Sequence, residues 1–129
     1  MTTILNTQLL ANNDKDKVTA IVQSFVDYSD RQDSAAMNDL LHKDYRAIVH
    51  RLFGNESTSF MDKTTYLNML GDKKIGGDKR TVKLTHIDLY ENMAMVSATF
   101  TGSKSVFVSY LLLVKSTDGT WVIVSDLPH

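Results

Sequence analysis

The chain has 129 residues, 43% of them hydrophobic and 22% charged, with a net charge of −1 and no cysteine. This is one domain with enough apolar material for a core, and it excludes a disulfide framework, a zinc–thiolate site and a thiol nucleophile. Near-neutral charge leaves no global electrostatic case for nucleic acid or an anionic membrane, no apolar run approaches the roughly 20 residues of a bilayer span, and the absence of a leader-like stretch makes a cytoplasmic location the expectation.

Residues 1–13 read as a polar N-terminal arm carrying the short apolar patch Leu9-Leu10-Ala11, and Asn12-Asn13-Asp14 offers caps for a first helix. From Lys15 to Ser29, Val18, Ile21, Val22, Phe25 and Val26 recur at helical spacing and form one apolar stripe. Asp33 or Ser34 caps a second, short helix through Leu41, with Met37, Leu40 and Leu41 inside. Tyr45 to Phe53 has strand propensity and no helical stripe. Gly54-Asn55-Glu56-Ser57 is a turn. Asp62 caps a brief third helix holding Tyr66, Leu67, Met69 and Leu70, and Gly71 is its expected terminator.

Asp72 to Lys79 is a charged, glycine-bearing loop. Its glycines lead into a strand rather than a helix, which argues against a phosphate loop. It reads as solvated, and it sits where a lid would sit. The rest is β. Strict alternation over Arg80–Tyr90 puts Val82, Leu84, His86, Asp88 and Tyr90 on one face. Met93–Thr101 pairs back, Gly102-Ser103-Lys104 turns, and Phe107–Lys115 runs to the break Ser116–Thr120 before Trp121–Ser125. Helices thus segregate from strands, the pattern of an α+β domain with a highly curved meander. One domain covers 1–129.

Two segments carry a family resemblance. Val22-Gln23-Ser24-Phe25 through Asp33, Leu40-Leu41 and Asp44-Tyr45 is a long helix, a capped short helix and an entering strand. Tyr110–Lys115 followed by Asp118-Gly119-Thr120-Trp121-Val122-Ile123-Val124 is the closing hairpin. Together they resemble the nuclear transport factor 2-like superfamily. The ending is most similar to its small bacterial "putative lumazine-binding" proteins and to the SnoaL-like, polyketide-cyclase-like branch. The resemblance implies a cone-shaped α+β roll, with N-terminal helices packed on a highly curved antiparallel or mixed sheet around an internal pocket. It also implies a homodimer through the β-sheet. Apolar residues on both faces of Phe107–Val114 agree with a covered outer face. The superfamily holds isomerases, dehydratases, cyclases and transport adaptors, so the resemblance selects no reaction.

Enolising members such as ketosteroid isomerase need a carboxylate base and an oxyanion hole made of a phenol and a protonated acid. The phenol position falls on Phe25 and the base position on Val49. The second acid belongs near Ser109–Leu111, where no carboxylate stands. Ketosteroid-isomerase-type catalysis is therefore not expected. If Val49 faces the cavity, strand alternation puts Ala47 and Arg51 beside it. Arg51 would then clamp an anionic ligand through a bidentate guanidinium; the plain alternative pairs it with Glu56 or Asp88, or leaves it solvated.

The histidines are His42, His50, His86 and His129, with no HxH or HExxH spacing, so no metal site is expected. His86 with Asp88 or Asp126 forms a candidate acid–base pair, against the alternative of a surface histidine. Tyr28, Tyr66, Tyr90 and Tyr110, with Phe53, Met69 and Trp121, are candidates for an amphipathic pocket wall or for core and interface.

The expected ligand-binding set is Phe25, Val49, Arg51, Tyr66, Met69, His86, Ser109 and Tyr110. No catalytic residue and no cofactor is assigned. Three functions are open. One is a small-molecule-binding cone for an aromatic or anionic ligand. The second is a general acid–base enzyme of isomerase, cyclase or dehydratase type, with a set drawn from His50, His86, Tyr66, Arg51 and Asp126. The third is a dimerisation or partner-binding module whose cavity is filled by Phe25, Val49 and Met69. Nucleic acid and membrane partners are not expected.

Overall fold

The computed structural model describes residues 3–129, of which residues 3–12 are described by backbone alone. Helix α1 (Thr3–Asp30) buries the expected stripe, with Val18, Val22, Phe25 and Val26 in the core and Ile21 packed against it. The expected arm falls partly outside the described residues, and the helix runs through Asn12-Asn13-Asp14, so these do not cap it. Asp14 instead joins the helix to the sheet. Its carboxylate accepts from the Trp121 indole Nε1 at 3.2 Å and from Lys115 Nζ at 2.9 Å.

Helix α2 (Ser34–Leu40) is capped by Asp33, whose Oδ1 accepts from the Ala36 amide at 3.0 Å. Between α2 and a third helix lie two strands, β1 (Leu41–His50) and β2 (Thr58–Asp62). Helix α3 (Lys63–Gly71) is capped by Asp62, whose Oδ1 accepts from Thr65 N at 2.8 Å. Gly71 is its last residue and not its terminator. The left-handed position is Lys73, at φ 61, and the amides of Lys73 and Lys74 bond back to the Leu70 and Met69 carbonyls.

Four further strands follow: β3 (Thr81–Tyr90), β4 (Met93–Thr101), β5 (Val106–Lys115) and β6 (Trp121–Pro128). The six form one open mixed sheet in the order β2-β1-β6-β5-β4-β3, with β1 parallel to β6 and every other pair antiparallel. Sequence reading anticipates neither the early start of β1 at Leu41 nor β2. The second omission has a physical cause. β2 is an edge strand, exposed at every position except the half-buried Met61, so it lacks the alternation that marks a strand.

Two irregularities shift side-chain phase. Between Leu84 and His86 the β3–β4 register slips by one residue. The inward residues of β3 are therefore Val82, Leu84, Ile87 and Leu89, and His86 joins Asp88 and Tyr90 outside. In β6, Leu112 faces Ser125 while Leu113 faces Ile123, which leaves Val124 as the extra residue. Trp121 and Ile123 point into the core; past the slip, Asp126 and Pro128 point inward. The helices cover this inner face, where Tyr45, Phe100, Leu111, Leu113 and Trp121 are almost wholly buried.

Replacing Asp14 with alanine removes the acceptor of the Trp121 indole. Chemical denaturation is expected to show a loss of about 1–3 kcal/mol. Asp14→Asn, which keeps an acceptor, is expected to lose less.

Candidate functional site

The helices do not fill the concave side of the sheet. A cavity of about 700 Å³ remains. Phe25 comes to it from α1, Val49 from β1, Tyr66 from α3, Phe100 from β4, Phe107 from β5 and Asp126 from β6. The rings are organised. Phe25 stacks on Tyr66 at 6.4 Å, Tyr66 meets Tyr45 edge-on at 5.3 Å, and Phe100 stacks on Phe107 at 5.0 Å. One wall is the segment 72–80. Gly76, at φ +75, packs so closely on the end of α1 that an added Cβ would collide with the Ser29 carbonyl.

Two polar groups stand out on these apolar walls. Asp126 is buried and accepts a hydrogen bond from the Ser109 hydroxyl. Burial pushes its carboxyl up to about 6, against the opposing pull of the Ser109 bond and the Arg80 charge. Burial, with the charge of Asp126 adding to it, also pushes the Tyr45 and Tyr66 phenols up. The Tyr45 hydroxyl is buried without a hydrogen-bond partner among the described residues. The second group is Arg80. Its Nε donates to Asp30 Oδ1 at 2.8 Å and its backbone amide to Asp30 Oδ2 at 2.8 Å. The guanidinium lies over Phe100 and Phe107, 5.4 and 5.6 Å from the ring centroids. Its Nη2 is buried and has no acceptor among the described residues.

Of the residues expected from sequence, Phe25, Val49 and Tyr66 line the cavity. Ser109 lies behind it, as the donor to Asp126. The other four are elsewhere. Arg51 does not continue the alternation of Ala47 and Val49. The strand ends at His50, and Arg51 takes a left-handed turn at φ 53 that carries its side chain into solvent. It makes no ion pair with Glu56 or Asp88. Met69 is half-buried on α3, away from the cavity lining. His86 is turned outward by the slip in β3, far from any pairing with Asp126. Tyr110 is half-exposed on the outer face of β5. Among the other aromatic candidates, Phe53 reaches the cavity rim, Trp121 is core and Tyr90 lies outside. Among the described residues no three His, Asp or Glu side chains converge at metal-binding spacing.

The loop also departs from expectation. Lys74, Ile75, Asp78 and Arg80 face the cavity, and Arg80 is half-buried in an ion pair instead of solvated. Nothing in its local sequence marks it, because its partner Asp30 lies 50 residues away. Asp126 has a signal in hindsight: it is the sole acid in β6. In strict alternation, however, it would face away from Trp121 and Ile123. The acid absent from Ser109–Leu111 is thus supplied by the neighbouring strand, where Asp126 pairs directly with Leu111. It lies near two phenols, Tyr45 and Tyr66, that are not at the Phe25 position. No carboxylate takes the place of Val49.

The family model described as "Putative lumazine-binding" matches residues 13–128. No curated protein matches in sequence. Solved structures match closely in shape. An NTF2-like protein of unknown function from Silicibacter pomeroyi superposes with a TM-score of 0.79 at 17% identity, covering 92% of this chain and 97% of that one. One from Shewanella baltica gives 0.77 at 13% identity, with 91% and 93% covered. One from Methylobacillus flagellatus gives 0.75 at 20% identity, with 91% of both covered. At such identities the likeness is one of fold. The chain belongs to the putative lumazine-binding family, and its fold is that of the NTF2-like proteins.

The Asp126 environment predicts a pH-dependent stability. A carboxyl whose folded value is about 6, above the ordinary value of about 4, holds its proton more tightly when folded. It therefore costs stability as pH rises from about 4 to about 6, and the cost is complete above that. Asp126→Asn abolishes this titration. Thermal or urea melts are expected to show the variant gaining on the wild type across that window, by up to about 3 kcal/mol. A difference that stays constant with pH would refute the assignment.

Proposed function

We propose that this family member is a small-molecule-binding cone that holds a flat, largely apolar ligand between its aromatic walls, with Asp126 and Arg80 as polar anchors. The observation that carries the reading is the cavity itself. At about 700 Å³ it falls within the roughly 300–1,000 Å³ range of small-ligand sites, which speaks against a module whose interior is filled by its own side chains. Phe25, Val49 and Tyr66 are the expected residues retained in this reading; Arg80 and Asp126 replace Arg51 and His86. Ketosteroid-isomerase-type catalysis has no place in it, since valine stands where the base would be. A second reading, an acid–base enzyme, draws on the unpartnered Tyr45 hydroxyl near a carboxyl that titrates close to neutrality. It predicts hydrogen exchange next to the carbonyl of bound ketones, lost in Asp126→Asn. The cysteine-free composition suits a cytoplasmic setting.

The outer sheet face supports a homodimer. Val106, Val108, Tyr110 and Leu112 of β5 and Met93 and Met95 of β4 are all exposed there. Four successive outward positions of β5 carry no charge, the composition of a covered surface. A second copy is the occupant proposed, because one self-complementary patch closes a two-fold pair.

Thermal-shift screening against flat heterocycles and aromatic acids tests the pocket. At least one class is expected to raise Tm by mass action, and Val49→Phe, which narrows the cavity, is expected to weaken the shift. Light scattering tests the assembly. The wild type is expected at twice the monomer mass, and a Tyr110→Glu/Leu112→Glu variant at the monomer mass with its fold intact.

A further inference from the structure

The interior of this domain holds more acid than base. Asp30 and Arg80 pair at 2.8 Å, with side chains only 12% and 11% exposed, and their charges cancel. Asp126 is the acid left over. It is 7% exposed, and it lines the cavity. The Ser109 hydroxyl bonds one of its oxygens, and the other has no donor among the described residues. No basic side chain among those residues forms an ion pair with it.

A buried carboxylate without a countercharge is costly, and ligand groups of different charge meet it differently. An anion brings like charge to a place that lacks positive charge. A neutral donor satisfies the free oxygen and leaves the charge uncancelled. A cation that carries a hydrogen does both, through a charge-assisted bond. The walls suit it too. Tyr66 lies close enough to Asp126 for that charge to help raise its phenol, and Phe25 stacks on Tyr66 at 6.4 Å. Aromatic faces attract an ammonium, most strongly where water is excluded. Lys74 and Lys104 also line the cavity, but both are exposed, so solvent and salt screen them while Asp126 is shielded from that screening. They disfavour a cation resting at the mouth and leave the inner acid as its place.

We propose that the cavity takes an arylalkyl monoamine, with its ammonium on the Asp126 carboxylate and its ring against Phe25 and Tyr66. This deepens the small-molecule reading and rests on it.

The pairing requires ionised Asp126. The groups around it are Ser109 from β5, Tyr45 from β1, Tyr66 from α3 and Arg80 ahead of β3, with Asp30 of α1 behind Arg80. Lys74, Asp78 and Lys104 line the same cavity, and no histidine does. Burial pushes both phenols up, and the Ser103 hydroxyl holds the Asp78 carboxyl down. Lysine and arginine ordinarily titrate far above neutrality. Asp126, at about 6, therefore sets the pH dependence. Amine binding tightens as pH rises through that value and then levels, and an anion would show the opposite trend.

The test is calorimetric titration of the full chain with 2-naphthylmethylamine, 2-naphthalenemethanol and 2-naphthoate, from about pH 5 to pH 8. These probes share one ring system and differ in charge. The amine is expected to bind about tenfold or more tighter than the alcohol at the upper end, the value of a charge-assisted bond. That advantage is expected to shrink toward the lower end and to vanish in Asp126→Asn. Equal binding of amine and alcohol throughout would overturn the amine assignment and leave the pocket standing. An amine preference that persists in Asp126→Asn would overturn Asp126 as its anchor. Tightest binding of 2-naphthoate would replace the amine with an acid. If none of the three binds, the small-molecule reading falls, and this inference with it.

Discussion

A β-strand has two faces, and β6 must serve two different interiors with one of them. Its first half closes the core through Trp121 and Ile123, and its second half forms the wall of a cavity. The slip at Val124 changes the phase between these halves. Without it, Ser125 and Leu127 would face inward and Asp126 would lie on the outside of the sheet. The buried carboxyl, its bond from Ser109 and the polarity of the cavity wall all depend on this one extra residue. Bulges bend the strand that carries them and re-aim its side chains, and here the re-aimed side chain is the acid.

Holding an ionisable group in such a place is costly, and the surroundings share the cost. Ser109 and the Arg80 guanidinium pull the Asp126 carboxyl toward its charged form, and burial outweighs them. Arg80 is itself compensated by Asp30 and lies over Phe100 and Phe107. The Asp30–Arg80 pair also has a mechanical role. It fastens the segment before β3 to the end of α1, beside the point where Gly76 packs on Ser29. The wall of the cavity is thus held at the end of α1 by the ion pair, the close approach of Gly76 and the Gly77 amide on the Ser29 carbonyl, and at its other side by Asp78 with Ser103 and Lys104.

The two faces of the sheet divide the remaining work. The inner face is covered by three helices at one end and left open at the other, which is why a cavity exists. The outer face carries Val106, Val108, Tyr110 and Leu112 in uninterrupted alternation. Structures sharing 13–20% identity keep this shape across at least 91% of the chain. The shape therefore tolerates wide change in its residues. What an individual member does must be argued from the side chains at its own cavity.

Local order was legible in the sequence. The stripe of α1, the Asp33 and Asp62 caps, the α+β division and the closing hairpin each follow from residues within one turn or one strand of each other, where spacing and capping chemistry act directly. Phe25 and Val49 were placed at the cavity by the family resemblance and Tyr66 as an aromatic candidate for its wall, and the chain around each keeps the phase that leaves it there. Arg51 and His86 were misplaced because a left-handed residue or a one-residue slip adjoins each, and phase is lost there; Asp126, named from sequence only as an acid–base candidate, faces the cavity through the slip at Val124. Arg80 was misread because its partner is remote, and β2 because an exposed edge strand needs no alternation. The sequence by itself determined the elements and the class of fold. Strand register, and the pairing of groups distant in the chain, were decided only when the sheet assembled. Those two decisions placed the acid and the guanidinium in one cavity.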